Sequence, residues 1–229
     1  MSSLTLLPWL TLFAAARAHG AWGLAYAPAD TAGPRPAIVY LHGMWASPED
    51  SCPLFETAAT PFGFLVCPRG NAPLGDGTMW AGTPADAAHS VRAALDAAAA
   101  LAPGKLDRSG DGTLLGYSNG AYFAAALARA EPGRWTSLVL MSMKLDLDPG
   151  PLRAAGVRRV VLAAADRDGA RASMEALARR LDSGGLQARF MSLGPGGHEF
   201  PPSDLGRSMC EAIAWVRAAD AAACGGARP

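Results

Sequence analysis

The sequence predicts a doubly wound α/β domain in which a mostly parallel sheet carries helices on both faces. One observation is that the strand-like segments are almost continuously apolar, as a sheet covered on both faces requires. Another is that they alternate with alanine- and leucine-rich segments of helical periodicity. A length of 229 residues, of which 50% are hydrophobic, is enough for one sizeable core and too little for two ordinary domains. We therefore expect one domain over residues 19–229.

The predicted strands are short runs of mostly apolar residues. They cover residues 22–27, 37–41, 62–67, 113–115, 138–141, 157–164 and 188–193. The predicted helices cover residues 85–101, 121–130, 170–181 and 205–219. Pro84 favours a helix start directly before the first of these helices, and Pro132-Gly133 favours the end of the second.

The N-terminus resembles a secretory leader. Residues 4–16 form an apolar run that is too short to span a bilayer, and Ala16-Arg17-Ala18 fits an A-x-A cleavage site. Met1-Ser2-Ser3 offers no lysine or arginine, so an ordinary buried N-terminal segment is the alternative. We interpret residues 1–18 as a signal peptide, which predicts a secreted or periplasmic protein. If this segment is not a signal, a cytoplasmic protein is expected.

The cysteine pattern also suits an oxidising compartment. Cys52 and Cys67 lie early in the chain, and Cys210 and Cys224 lie late, which makes an even number in two local pairs. Three pairings are possible, and we favour the two local disulfides. The spacings match no zinc pattern such as C-x-x-C, so no metal site is predicted.

The charge pattern argues against nucleic acid or an anionic surface as the partner. Twenty basic and twenty acidic residues cancel, and no basic stripe is interleaved with aromatic residues. We therefore expect the partner to be a small molecule or the end of a polymer. Neither a membrane span nor a cofactor is predicted.

The most informative motif is Gly116-Tyr117-Ser118-Asn119-Gly120, because a strand-like run precedes it and a helix-like run follows it. In that setting G-x-S-x-G is typical of a nucleophile elbow, a sharp turn that exposes the serine hydroxyl. Glycine at positions 116 and 120 removes side chains that would collide where the strand meets the helix. The alternative is a glycine-bounded turn without a catalytic role, and the context favours Ser118 as a nucleophile.

Polar residues follow several predicted strands, at the edge where open parallel sheets bind ligands. His42, Ser118 and His198 each follow a different strand, and Asp166 and Asp168 follow another. A serine hydroxyl is a poor nucleophile at neutral pH, so a base must accept its proton and a carboxylate must orient that base. We predict His198 as the base. Asp168 and Asp166 are the two candidates for the acid.

Four motifs at the predicted strand ends carry a family resemblance. They are Tyr40-Leu41-His42-Gly43, Gly116-Tyr117-Ser118-Asn119-Gly120-Ala121, Ala165-Asp166-Arg167-Asp168-Gly169 and Gly196-Gly197-His198-Glu199-Phe200. Together they resemble the α/β-hydrolase superfamily over about residues 22–219, with the chain order nucleophile, acid, base. The chain is most similar to small lidless carboxylesterases of the dienelactone hydrolase, polyhydroxybutyrate depolymerase or feruloyl esterase type. Alignment with these families favours Asp168 over Asp166, although Ala165 stands where they usually have glycine.

The resemblance also implies an oxyanion hole made of backbone N–H groups. One donor belongs to the residue after the nucleophile, Asn119. The other belongs to the loop after the first long strand, where Met44 is favoured and Trp45 is the alternative. Members of the superfamily often insert a cap domain after the strand that follows the nucleophile helix. Residues 143–157 leave room only for a short loop there, so no cap domain is predicted.

Without a cap, the site is expected to be open and covered mainly by loops, above all by residues 69–84. Trp45, Trp80, Met143 and Phe200 are predicted to wall an acyl or aromatic pocket, although each alone is more often a core or loop residue. The predicted function is a serine hydrolase that cleaves carboxylic esters through an acyl-enzyme. The alternatives are a peptidase or amidase of the same fold and a non-catalytic binding module.

Overall fold

The computed structural model describes residues 17–28, 32–199, 205–219 and 221–226. Strands in these residues are β1 (Arg17–Gly20), β2 (Gly23–Tyr26), β3 (Arg35–Leu41), β4 (Phe64–Pro68), β5 (Ala72–Leu74), β6 (Gly77–Met79), β7 (Leu106–Asp107), β8 (Gly112–Tyr117), β9 (Trp135–Met141), β10 (Arg159–Ala164) and β11 (Gln187–Ser192). Helices are α1 (Pro48–Ser51), α2 (Glu56–Ala59), α3 (Pro84–Leu101), α4 (Asn119–Ala130), α5 (Pro149–Ala154), α6 (Arg171–Ser183) and α7 (Leu205–Val216), with 3₁₀ turns at Cys52–Phe55 and Ala221–Gly226.

The main sheet has nine strands, and eight of them follow the order β1-β2-β4-β3-β8-β9-β10-β11. The pairs β1–β2 and β2–β4 are antiparallel, and every other pair along this order is parallel. The short β7 pairs with the start of β3, and β5 and β6 form a separate antiparallel hairpin. The predicted doubly wound, mostly parallel sheet is confirmed.

Helices cover both faces of the sheet, which explains why the strands are apolar at successive positions. In β3, Val39 and Leu41 pack into the cluster formed with α3, α4 and α6. Ile38 and Tyr40 point the other way and pack with α2 and α7. The two edges of the sheet are less covered, and every described position of the edge strand β11 is at least partly exposed.

The long helices begin and end where local signals predict. Thr83 caps α3, because its hydroxyl accepts a hydrogen bond from the Asp86 N–H while the Asp86 carboxylate accepts one from the Thr83 N–H. Pro84 occupies the first turn, as predicted. Between β9 and β10, the chain forms only the six-residue α5, so this connection holds no cap domain.

Several short elements of the structure differ from the sequence-based prediction. β1 includes Arg17 and Ala18, which were assigned to the leader, and it pairs with β2 in the register Arg17 to Tyr26. Residues 48–59 form α1, a 3₁₀ turn and α2, none of which is among the predicted helices with assigned bounds. The hairpin β5–β6 lies within the predicted covering loop, residues 69–84. Each of these elements is too short to show a periodic pattern.

The structure contains both of the favoured disulfides. Cys52 joins Cys67 with Cα atoms 6.0 Å apart, and Cys210 joins Cys224 with Cα atoms 5.7 Å apart. The first bond ties the 3₁₀ turn after α1 to the end of β4. Cys52 and Cys67 are 15 residues apart in the sequence. In the chain-entropy model, a cross-link that closes a loop of about 15 residues stabilises the fold by about 3 kcal/mol.

Among the described residues, we find no helix that combines the length and the apolar character needed to cross a bilayer.

Candidate active site

Ser118 occupies a sharp turn between β8 and α4. Its backbone angles are φ 51° and ψ −119°, a conformation that is strained for a residue with a side chain. Its N–H donates to the carbonyl oxygen of Met141 at the end of β9, at 2.9 Å, which fixes the turn against the neighbouring strand. The serine therefore lies at the carboxyl edge of the sheet, in the geometry of a nucleophile elbow.

The two glycines of the motif are required by close backbone contacts. A Cβ atom on Gly116 would lie 2.6 Å from the Cα of Ala121, so a side chain there would collide with the first turn of α4. A Cβ on Gly120 would lie 2.0 Å from the carbonyl oxygen of Leu41. The second contact was not expected from the sequence, because it comes from the end of β3 and not from the strand that leads into α4.

The structure brings Ser118, His198 and Asp168 together in the predicted order. The Ser118 Oγ lies 3.1 Å from the His198 Nε2, and the His198 Nδ1 lies 3.3 Å from the Asp168 Oδ2. The Asp168 side chain is 1% exposed, whereas that of His198 is 57% exposed. This arrangement suits a neutral imidazole that donates from Nδ1 to the carboxylate and accepts at Nε2 from the serine hydroxyl.

The two candidate acids have different partners. The second oxygen of Asp168, Oδ1, accepts a hydrogen bond from the Ala170 N–H at 2.8 Å, which holds the carboxylate in place beneath His198. Asp166 instead accepts hydrogen bonds at 2.6 Å from the side chains of Arg171 and Ser192. Asp168 is thus the aspartate within reach of the imidazole, and Asp166 belongs to an ion pair beside it.

The Tyr117 ring lies next to the imidazole of His198, a contact that was not predicted from the sequence. Its ring centroid lies 5.6 Å from that of His198, with 33° between the ring planes. Burial, followed by the nearby carboxylates of Asp168 and Glu199, raises the pKa of Tyr117 to about 12. The phenol therefore stays neutral beside the base at physiological pH.

The loop after β3 borders the nucleophile. A Cβ on Gly43 would lie 3.5 Å from the Ser118 Cβ, so the start of this loop runs directly beside the elbow. Met44 and Trp45 follow, with 40% and 66% of their surface exposed, and Trp45 has a positive φ of 60°. Asn119 is the first residue of α4, where backbone N–H groups have no partner within the helix. Both segments chosen for the oxyanion donors therefore flank Ser118.

His42 is a buried structural residue of this loop. Its Nδ1 lies 2.7 Å from the carbonyl oxygen of Gly43, and its Nε2 accepts a hydrogen bond from the Gly70 N–H at 3.1 Å. Because a backbone N–H can only donate, Nε2 carries no proton and the tautomer is fixed with hydrogen on Nδ1. Burial lowers the pKa of His42, which keeps the ring neutral.

The residues predicted to wall the pocket have different environments. Trp45 is exposed at the loop after β3, and Met143 is partly buried against the cluster with α3, α4 and α6. Trp80 is fully buried and cannot contact a substrate, so its prediction as a pocket wall is wrong. The side chain packs inside the fold. Phe200 lies outside the described residues.

The predicted covering loop, residues 69–84, packs against the loop after β3. Thr78 in β6 donates its backbone N–H to the carbonyl oxygen of Ala46 at 3.0 Å. The Thr78 hydroxyl also lies 3.2 Å from the His42 Nε2. Over the described ranges, no group of three His, Cys, Asp or Glu side chains is arranged to hold a metal ion.

Comparison with known proteins identifies the fold. No protein-family model and no curated protein sequence matches the chain. The hyperthermophilic esterase from the archaeon Pyrobaculum calidifontis is similar with a TM-score of 0.64 and 19% identity, over 85% of this chain and 78% of that chain. The Bacillus cereus carboxylesterase is similar with a TM-score of 0.59 and 21% identity, over 86% of this chain and 93% of that chain. FphF, a fluorophosphonate-binding serine hydrolase of Staphylococcus aureus, is similar with a TM-score of 0.60 and 13% identity, over 89% of this chain and 97% of that chain. The chain has the α/β-hydrolase fold that the motifs predicted.

The contact at Gly120 yields a stability prediction. In Gly120→Ala the new methyl group would meet the backbone of Leu41, which cannot move without displacing β3, so we expect a loss of about 3 kcal/mol or more. Gly169→Ala is the matched control, because a Cβ there meets nothing within 4 Å. Urea unfolding of the two variants measures the difference. Equal stability would contradict the proposed contact.

Proposed function

We propose that this protein is a serine hydrolase that cleaves carboxylic esters through an acyl-enzyme intermediate. The observation that carries the proposal is the chain of contacts from the Ser118 Oγ to the His198 Nε2, at 3.1 Å, and from the His198 Nδ1 to the Asp168 Oδ2, at 3.3 Å. The fold supports it, because the similar solved structures are named as esterases and serine hydrolases.

In the acylation step, the Ser118 Oγ attacks the carbonyl carbon of the ester while the His198 Nε2 takes the hydroxyl proton. Asp168 stabilises the imidazolium that forms and keeps the ring oriented. As the tetrahedral intermediate collapses, the bond to the alcohol oxygen breaks, and His198 returns the proton to that oxygen. The alcohol leaves, and the acyl group remains on Ser118.

In the deacylation step, a water molecule attacks the acyl carbon while His198 accepts one of its protons. The second tetrahedral intermediate releases the carboxylic acid, and the proton passes from His198 to the Ser118 Oγ. The exposed face of the imidazole gives water access to this position, since 57% of the side chain contacts solvent. With the ester and one water molecule as the reactants, both steps balance.

The negative charge of each intermediate falls on the former carbonyl oxygen, and we assign the backbone N–H groups of Met44 and Asn119 to it. Asn119 stands at the N-terminus of α4, where the helix dipole adds positive potential. Donors fixed in this way stabilise the transition state more than the ground state, because the oxygen becomes charged only during the reaction.

The substrate is proposed to be a small ester or an ester at the end of a polymer. Trp45 and Met143 are assigned to its acyl or aromatic group. The large exposure of Trp45, at 66%, supports a shallow site that accepts an extended group rather than a closed pocket.

We also propose that the protein is secreted or periplasmic, with residues 1–18 as a signal peptide. The two disulfides support an oxidising compartment. Cleavage after Ala18 would remove the first two residues of β1 and leave His19 and Gly20 to pair with Leu24 and Gly23.

Replacement of the nucleophile tests the proposed reaction. We expect Ser118→Ala to abolish labelling by a fluorophosphonate probe and to reduce turnover of p-nitrophenyl esters by roughly 10⁴-fold or more, with the fold intact. Ser173→Ala is a suitable control, because it removes another partly buried hydroxyl, one in α6 that donates to the carbonyl oxygen of Ala170, the residue before the helix. Labelling that persists in folded Ser118→Ala would exclude Ser118 as the nucleophile.

Substitution of the two aspartates tests the choice of acid. Asp168→Asn should lower kcat by about 10³-fold or more, because an amide beside the imidazole favours the wrong tautomer. Asp166→Asn should change kcat little, since its carboxylate faces Arg171 and Ser192. The two variants remove the same charge two residues apart, so steady-state kinetics compare them directly. The opposite ranking would move the role to Asp166.

The mass of the exported protein tests the leader and the disulfides together. When expressed with the whole sequence in a secreting host, the mature protein should begin near His19 and be four hydrogens lighter than its reduced form. Intact mass before and after reduction, followed by peptide mapping, measures both properties. Full-length and fully reduced protein recovered from the cytoplasm would contradict export.

A further inference from the structure

Trp80 connects the two segments that carry the assigned oxyanion donors. Its backbone N–H donates to the side-chain oxygen Oδ1 of Asn119 at 2.8 Å. Its indole Nε1–H donates to the carbonyl oxygen of His42 at 3.1 Å. Asn119 directly follows the nucleophile, and His42 lies two residues before Met44. One buried residue therefore holds both sides of the site through separate hydrogen bonds.

The indole ring also fills the space beneath these segments. Trp80 is 0% exposed, with its ring centroid 5.7 Å from the His42 ring and 6.5 Å from the Phe123 ring of α4. A fully buried side chain of this size cannot reach a substrate at the open edge of the sheet. Its effect on the site must therefore pass through the residues that it contacts.

The segment that carries Trp80 is itself anchored. Asn71 exchanges two hydrogen bonds with Ala81, from its Nδ2 to the Ala81 carbonyl at 2.8 Å and from the Ala81 N–H to its Oδ1 at 2.9 Å. Gly77 packs against the loop after β3, because a Cβ built on Gly77 would lie 2.4 Å from the Trp45 carbonyl oxygen. The hairpin is thus a fixed support for Trp80 and not a free loop.

The loop after β3 needs such a support. Met44 is 40% exposed and Trp45 is 66% exposed, so burial of their own side chains contributes little to holding the loop. Donors of an oxyanion hole act only when they lie about 2.7–3.1 Å from the developing charge. A small change in the spacing between the two N–H groups would weaken one of the two hydrogen bonds to the intermediate.

We propose that Trp80 is a positioning residue that sets the spacing between the Met44 and Asn119 N–H groups. The inference rests on the proposed function, since it concerns the oxyanion hole of that reaction. The two N–H groups that Trp80 positions act on the charged intermediate more than on the bound ester. Its loss should therefore affect kcat and leave KM nearly unchanged.

The test replaces Trp80 by phenylalanine, which keeps an aromatic ring and the backbone N–H but removes the indole donor to His42. We expect kcat for p-nitrophenyl esters to fall by about 10- to 100-fold, with KM within about twofold of the unchanged protein. Labelling by a fluorophosphonate should slow in parallel, because its phosphoryl oxygen uses the same donors.

Trp135→Phe is the matched control. Trp135 is 1% exposed, and its indole N–H also makes one hydrogen bond, to the Glu131 Oε2 at 2.8 Å. It begins β9, at the opposite end of the strand from Met141 and the elbow. Both variants lose the indole hydrogen bond of a buried tryptophan, so their melting temperatures should fall by similar amounts. Only Trp80→Phe should have a lower kcat than the wild-type protein.

A second variant covers the case in which Trp80→Phe does not fold. Asn119→Ala removes the side-chain oxygen that accepts the Trp80 N–H and keeps the backbone N–H of residue 119. We therefore again expect a lower kcat and an unchanged KM. If folded Trp80→Phe keeps the wild-type kcat, the inference is overturned and the proposed function still stands. If Trp80→Phe is unfolded, a wild-type kcat in Asn119→Ala has the same meaning. Ester turnover that survives Ser118→Ala would instead overturn the proposed function, and the inference with it.

Discussion

The close approach of α4 to the end of β3 is the constraint on which the candidate site depends. Gly120 lies so near the carbonyl oxygen of Leu41 that no side chain fits between them. This contact places the first turn of α4 beside the loop that leaves β3, and Ser118 lies between β8 and that turn with a positive φ of 51°. The close packing of α4 on β3 therefore brings the two backbone segments that flank Ser118 together.

Burial divides the polar residues of the site into fixed and accessible groups. Asp168 is held by the Ala170 N–H and shielded from solvent, and His42 is held neutral between Gly43 and Gly70. His198, in contrast, is mostly exposed and touches the protein through Asp168, Ser118 and the Tyr117 ring. Groups that orient others are buried, whereas the imidazole that we propose exchanges protons with water is open to it.

The sequence predicted the long strands and helices because their signals are local. Continuous apolar runs and alanine-rich segments report burial directly, and the strand ends then bring distant polar residues to one edge. The choice between Asp168 and Asp166 is different, since the two residues have the same chemistry and only the surrounding contacts separate them. Trp80 was misjudged for a related reason, because an indole suits a pocket wall and a core equally well. The short elements β1, α1 and β5–β6 depend on contacts across the chain, such as the bond from Thr78 to Ala46.

The edge position of β11 makes this strand sensitive to mild stress. This strand is the outermost of the parallel side, its residues are all partly exposed, and the loop that follows it carries His198. Neither disulfide crosses it, since one joins Cys52 to Cys67 and the other joins Cys210 to Cys224. Edge strands open at lower free energy than central ones. Fraying of β11 would withdraw His198, the proposed base, while Ser118 stays bonded to Met141 at the end of β9, so loss of the proposed activity would precede melting of the core.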